Sequence, residues 1–187
     1  MPPITIDDLL TMPNSRRREI MFAAHPIDPA QLDNTMYRGV DLSLPVIMNK
    51  ILWKTFRKTF HRDPATGVLR GWNVRMEQTG YGGPGIPKQK KGKQFAFGHY
   101  HLLPAGGINW PQGWKGENYL DYTVAGNPWY DVAGLGKCPL VCVNEGDHSL
   151  LLGWEIFTLG KTWVPLPDYW ALIKEGPLDV IEPRPGK

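Results

Sequence analysis

Cysteine is scarce in this chain, and its absence excludes a good deal. Only Cys138 and Cys142 occur, so a disulfide framework is ruled out. Their spacing, C-P-L-V-C, is not the redox C-x-x-C. On a strand, residues four apart share a face but lie too far apart to bond, so buried thiols are expected. Long apolar runs are also missing. None approaches the roughly 18 residues of a membrane-spanning helix. The opening M-P-P-I-T-I-D-D-L-L lacks the basic and apolar regions of a secretory signal. Together these absences lead us to expect a cytoplasmic protein. Charge of one sign is in short supply too: 21 basic against 18 acidic residues leave a formal +3. That excess is too small to imply nucleic acid by itself, and no nucleic-acid module is visible, so no nucleic-acid partner is expected. No internal repeat of fixed period occurs.

Turn-forming and aromatic residues are plentiful. The 21 glycines and 18 prolines are about a fifth of the 187 residues, against a usual share of roughly 12%. Eight Trp, seven Tyr and six Phe accompany them, which excludes low-complexity disorder. Short elements broken by Gly and Pro point to a β-rich fold rather than a helical bundle.

Residues 1–34 read as a helical N-terminal leader packed on the domain. Thr5 or Asp7 could cap a turn before Leu9, and Ser15 a second helix ending before Pro26. Residues 35–44 alternate, with Met36, Arg38, Val40 and Leu42 on one parity and Tyr37, Gly39, Asp41 and Ser43 on the other, the mark of a strand. Residues 45–61 predict a helix: Ile47, Ile51, Leu52, Phe56 and Phe60 form a stripe at helical spacing, and Lys50, Lys54, Arg57 and Lys58 a basic face. From residue 68 onward the pattern is β, with strands at 68–78, 95–103, 119–124, 139–144, 150–159 and 162–173. Residues 79–94 and 104–118 form long loops, and residues 174–187 a C-terminal tail. The predicted fold class is α+β, mainly β: an antiparallel curled sheet or closed β-barrel spanning 35–173, with a helix inserted after the first strand.

This order, a strand, a helix and then about six strands joined by turns, resembles the calycin group of lipocalin-like and fatty-acid-binding-like barrels. The resemblance covers roughly residues 35–173 and lies in element order. Gly71-Trp72 sits on the second strand and is not the lipocalin Gly-x-Trp of the first. What the resemblance implies is a small barrel holding a hydrophobic or amphipathic molecule, such as a lipid, isoprenoid or polyketide-like compound.

Several residues could carry chemistry. On each strand polar residues share one parity: Tyr37, Asp41, Asn73, Arg75, Glu77, Asp121 and Glu155. The opposite parity is apolar, with Val40, Leu42, Trp72, Val74, Met76, Leu120, Leu152, Trp154 and Ile156. In an ordinary sheet the polar side faces solvent. In a barrel it can line the cavity while the apolar side meets the leader. Arg75 would then anchor an anionic head through its guanidinium fork. Tyr37, Asn73, Glu77 and Tyr122 would join it, with Trp110 and Trp114 on a loop at the rim.

His99 and His101, two apart on a strand beside Phe95 and Phe97, are the candidate proton-transfer groups, with Asp121 and Glu155 as carboxylate partners. Such a pair would make the protein a cofactor-independent isomerase, cyclase or lyase. Two imidazoles at this spacing can also share a metal, but no third ligand is fixed by spacing, so neither metal nor cofactor is expected. A third reading is peripheral membrane contact, or contact with another partner, through the basic helix 45–61. The sequence does not address oligomeric state.

Overall fold

The computed structural model describes residues 2–43 and 54–186. Short helices come first: α1 (Ile6–Thr11), α2 (Asn14–Ala23) and α3 (Pro29–Leu32). A reciprocal capping box between Thr5 and Asp8 starts α1. Pro13, not Ser15, precedes α2, and Ala24 ends it in the left-handed conformation. Ten strands follow: β1 (Thr35–Asp41), β2 (Thr55–Arg62), β3 (Leu69–Arg75), the small hairpin β4 (Gln89–Lys90) and β5 (Lys93–Gln94), β6 (Ala96–Pro104), β7 (Asn118–Asp121), β8 (Lys137–Asn144), β9 (Asp147–Leu159) and β10 (Thr162–Pro177).

Eight of these close an antiparallel barrel in the order β1-β10-β9-β8-β7-β6-β3-β2. Neighbours on the barrel are neighbours along the chain, and β10 returns to β1 over Asp41↔Trp170 through Thr35↔Pro177. Closure leaves no unpaired edge. Hairpin connectivity gives the barrel two ends. Strands β1, β3, β7 and β9 run toward one, here called the upper end; β2, β6, β8 and β10 run toward the lower end.

The predicted barrel is therefore observed, but the inserted helix is corrected. Residues 55–62 form β2, and 45–53 lie outside the described residues. The misreading has a simple cause. Phe56 and Phe60 are four apart, which satisfies a helical stripe and a strand parity equally. Thr55 and Thr59, which are β-branched, favour the strand. On β2, Arg57 points outward to Glu175 at 3.0 Å, whereas Phe56, Lys58 and Phe60 point inward.

On β3 and β9 the polar parity faces in and the apolar parity faces out. Trp72 and Val74 of β3, with Met76 just beyond it, are buried on the outside against Leu178 of the C-terminal segment. Leu152, Trp154 and Ile156 lie outside β9, in one cluster with Leu9, Ile20 and Met21 of α1 and α2. Inside, three glycines make room for rings. Gly39, Gly71 and Gly153 pair across strands with Phe56, Tyr100 and Trp170. A Cβ at any of them would come within 2.5 Å of the facing ring. The lower half of the barrel is packed with Tyr37, Phe60, Leu69, Leu102, Cys142 and Leu151, and Ile27 and Leu32 plug its end.

Strand β7 breaks the pattern. Leu120 joins the interior cluster, while Asp121 lies on the outer wall opposite His101 and Lys137. Cys138 and Cys142 are both free, buried and interior, as their spacing suggested.

Candidate functional site: a buried lysine in an aromatic cage

Three of the four candidate catalytic residues lie outside the barrel and one inside. Gly98 adopts φ +51 and creates a bulge: Asn73 pairs with Phe97, but Gly71 pairs with Tyr100. The extra residue reverses the face, so Phe97 shares the face of Asn73 while His99 and His101 turn outward. His99 packs near Trp72, with ring centroids 6.2 Å apart. Burial, reinforced by Arg70, lowers its pKa to about 4. Burial and Arg184 lower that of His101 as well. Asp121 faces His101 across the strands, but it is held by Lys137 at 3.0 Å, by Tyr119 Oη at 3.1 Å and by Thr123. Glu155 is interior, on the parity of Leu151 and Gly153. The two imidazoles and Glu155 therefore do not face one ligand, and the chamber required for the isomerase, cyclase or lyase reading is not assembled from them.

Other candidates divide in the same manner. Asn73 and Tyr122 meet inside the upper half of the barrel. Arg75, opposite Phe56, stands at the upper rim beside the Phe95 ring, 5.7 Å from its centroid. Tyr37 is interior but low, donating its hydroxyl to His148 O at 2.9 Å. Glu77 lies beyond β3, exposed and 3.9 Å from Lys88. Trp110 and Trp114 are corrected: they lie on the lower connection after β6 and are only 4% and 2% exposed. Trp110 stacks edge-on against Trp114, Tyr119 and Trp163, and Trp114 Nε1 donates to Met21 O at 2.9 Å. They belong to the outer core beneath the leader.

The centre of the site is Lys58, which the helical pattern puts on an exposed basic face. It lies inside the barrel, 2% exposed. Its Nζ donates to Asn73 Oδ1 at 2.7 Å and hydrogen-bonds the Tyr122 hydroxyl. Four rings surround the ammonium, with centroids at 4.6 Å (Trp170), 4.9 Å (Tyr100), 5.1 Å (Tyr122) and 5.3 Å (Phe56). Ring faces attract a cation, but weakly compared with the water the ammonium has lost. Burial accordingly lowers the lysine pKa to about 8. Among the described residues, no carboxylate lies within ion-pairing distance of Lys58. Glu155 acts on it at longer range.

Glu155 accepts from Trp170 Nε1 at 3.2 Å and neighbours Cys138. Burial raises its pKa, against the opposing pull of Lys58. The side chain itself is only half-buried, as are Phe56, Arg75, Phe97 and Ala133. These residues form a rim above the buried Lys58, Asn73, Tyr122 and Trp170. Asp168 stands close by. Burial first, then Asp41 and Glu155, raises its pKa to about 7. A strand parity on β2 would have pointed to Lys58; so would Gly39, Gly71 and Gly153, since strand glycines often mark the close approach of a ring.

A surface depression of about 530 Å³ lies at the opposite end, open to solvent and lined by Gln31, His148 and Lys174 among others. It lacks the desolvated charge of the upper site. The chain matches no known family model, no curated protein and no solved structure. Among the described residues no group of His, Cys, Asp and Glu is placed to hold a metal. No described helix is long and apolar enough to cross a membrane.

Proposed function

We propose that the upper half of the barrel binds an amphipathic small molecule, with an acidic head on Lys58 and an apolar portion against Phe56, Tyr100 and Trp170. The observation that carries this reading is the ammonium buried among neutral hydrogen-bond partners and rings, with no described carboxylate in contact. A buried cation without a contacting counter-ion lowers stability, and an anionic ligand would supply that counter-ion. Asn73 and Tyr122 position the ammonium, and the half-buried rim supplies the path. An eight-stranded barrel has room for its own side chains or for one small ligand. The packed lower half supports assigning the ligand to the upper half. A closed eight-stranded antiparallel barrel is compatible with the calycin-like class, whose barrels hold such ligands.

The test is calorimetric titration with dodecanoate and, separately, dodecanol. The expected result is saturable binding of the acid, at least about tenfold tighter than the alcohol, as loss of one charged hydrogen bond implies. Equal affinities, or no saturable binding of either, would contradict the assignment. Arg75 stands at the rim as a secondary anchor. Arg75→Met should weaken the acid by about 1.5–3 kcal/mol if its guanidinium reaches the head, and unchanged affinity would remove Arg75 from the site.

A further inference from the structure

The connection between β7 and β8 exposes large apolar side chains while its backbone is firmly held. Asn127 is fastened at three points, donating to His99 O and Tyr122 O at 2.7 and 2.9 Å and accepting from His99 N at 2.8 Å. Asp131 accepts from Gly98 N at 2.7 Å and Ala133 N at 3.1 Å. Thr158 Oγ1 donates to Leu135 O at 3.0 Å. Between these pins Trp129 is 95% exposed and Tyr130 71%, their rings edge to face. Val124, Val132 and, at the end of β9, Leu159 are exposed as well. A loop held this rigidly does not present Trp129 by default; the exposure is built in, and contiguous exposed apolar groups mark an interaction surface.

Positive charge accompanies this surface. The connection after β3 also lies at the upper end, and there the β4–β5 hairpin displays Lys90, Lys91 and Lys93. Lys161 is on the turn after β9. Of the acids at this end, Glu77 faces Lys88, Asp121 is paired with Lys137, Asp131 is consumed by backbone amides, and Glu155 and Asp168 are half-buried at the mouth.

We propose that this upper rim docks on an anionic lipid surface, with Trp129 and Tyr130 in the headgroup layer and the lysines on acidic headgroups. Indole and phenol rings favour that layer because each has an apolar body and a polar tip. Lysines close to anionic lipid add attraction that salt screens. A second copy of the chain is a poorer occupant, because a twofold contact through this rim would bring the same lysines together. Of the basic residues expected to reach a membrane from 45–61, Lys58 is interior and Arg57 is engaged by Glu175, so neither of these two contributes, and 45–53 lie outside the described residues. Docking is independent of whether the barrel holds a ligand.

Sedimentation with phosphatidylcholine vesicles, with and without phosphatidylserine, tests it. The protein should pellet with the phosphatidylserine vesicles at low salt and much less with phosphatidylcholine alone. The double variant Trp129→Ala/Tyr130→Ala should lose about tenfold or more in vesicle affinity. The triple variant Lys90→Gln/Lys91→Gln/Lys93→Gln should lose a comparable amount on phosphatidylserine only. Both should keep the parent urea transition, since none of these side chains is buried. No pelleting of the parent protein, or pelleting indifferent to both variants, overturns the proposal. Concentration-dependent self-association abolished by the aromatic variant also overturns it, and assigns the rim to a second copy.

Discussion

The two halves of the barrel interior have the same wall and opposite contents. In the lower half Tyr37, Phe60, Leu69, Leu102, Cys142 and Leu151 interlock, and Ile27 and Leu32 close the end. The Tyr37 hydroxyl, the one polar tip among these side chains, has a backbone acceptor. In the upper half the same inward parity carries Lys58, Asn73, Tyr122 and Glu155. Filling the upper half with leucine would leave stability unchanged or raise it, because apolar replacements of buried charge are often neutral or favourable. The contrast teaches a division of labour: the lower half holds the barrel closed, and the upper half carries a charge that stability alone does not require.

The division can be broken from below first. Phe60→Ala should destabilise the fold by about 3–5 kcal/mol, since Phe60 is fully buried and packs edge-on against Tyr37 and Tyr100. A urea transition within about 1 kcal/mol of the parent would show that the lower half is not the structural core. At the boundary, Gly153→Ala places a methyl 2.2 Å from Trp170. It should cost about 1–3 kcal/mol and displace the ring from Lys58, visible as a changed near-ultraviolet spectrum. An unaltered spectrum would mean the cage does not depend on that glycine.

Asp168 provides a pH-dependent test of the upper end. Its folded pKa, about 7, lies above the ordinary carboxylate value. The folded state thus holds a proton that the unfolded chain has released. Stability from this group is complete below about pH 4 and is lost as pH rises through 7. Asp168→Asn should remove that loss, making the variant more stable than the parent at pH 8 and near parity at pH 4. The gain should be about 1–2 kcal/mol, less than a fully sequestered carboxyl would give, because water reaches part of the group. Equal transitions at pH 8 would show that Asp168 ionises freely. The smallest expected effect is that of His101→Ala. With His101 on the outer wall, ligand binding in the upper half should be unchanged, and a loss above about tenfold would bring His101 back to the site.

The barrel was legible in the sequence because alternation is a local signal. Trp72, Val74 and Met76 against Gly71, Asn73 and Arg75 define a strand without any knowledge of its neighbours. What alternation leaves open is which face turns inward. The apolar parity of β3 and β9 faces out because α1, α2 and the C-terminal segment cover it, and such cover is a tertiary fact. Asp121 went to the outer wall for a similar reason: Tyr119 and Lys137 await it there. The histidines were misplaced by a single residue, since the bulge at Gly98 reverses the parity between Phe97 and His99. Trp110 and Trp114 read as rim aromatics on a Gly/Pro-rich loop, but the leader folds over them. Lys58 was lost with β2, where Phe56 and Phe60 fit two periods at once.

Lys58→Met, followed in parallel by urea unfolding and by dodecanoate titration, tests the central claim most directly. Burial depresses the lysine pKa, so at pH 7 its charge opposes folding, and that penalty fades as pH rises through 8. Removing the ammonium should leave stability at pH 7 unchanged or raised by up to about 2 kcal/mol, even though Tyr122 loses a partner. Dodecanoate affinity should fall by at least about tenfold. A variant destabilised by several kcal/mol that still binds dodecanoate as tightly as the parent would make Lys58 a structural residue and contradict the account.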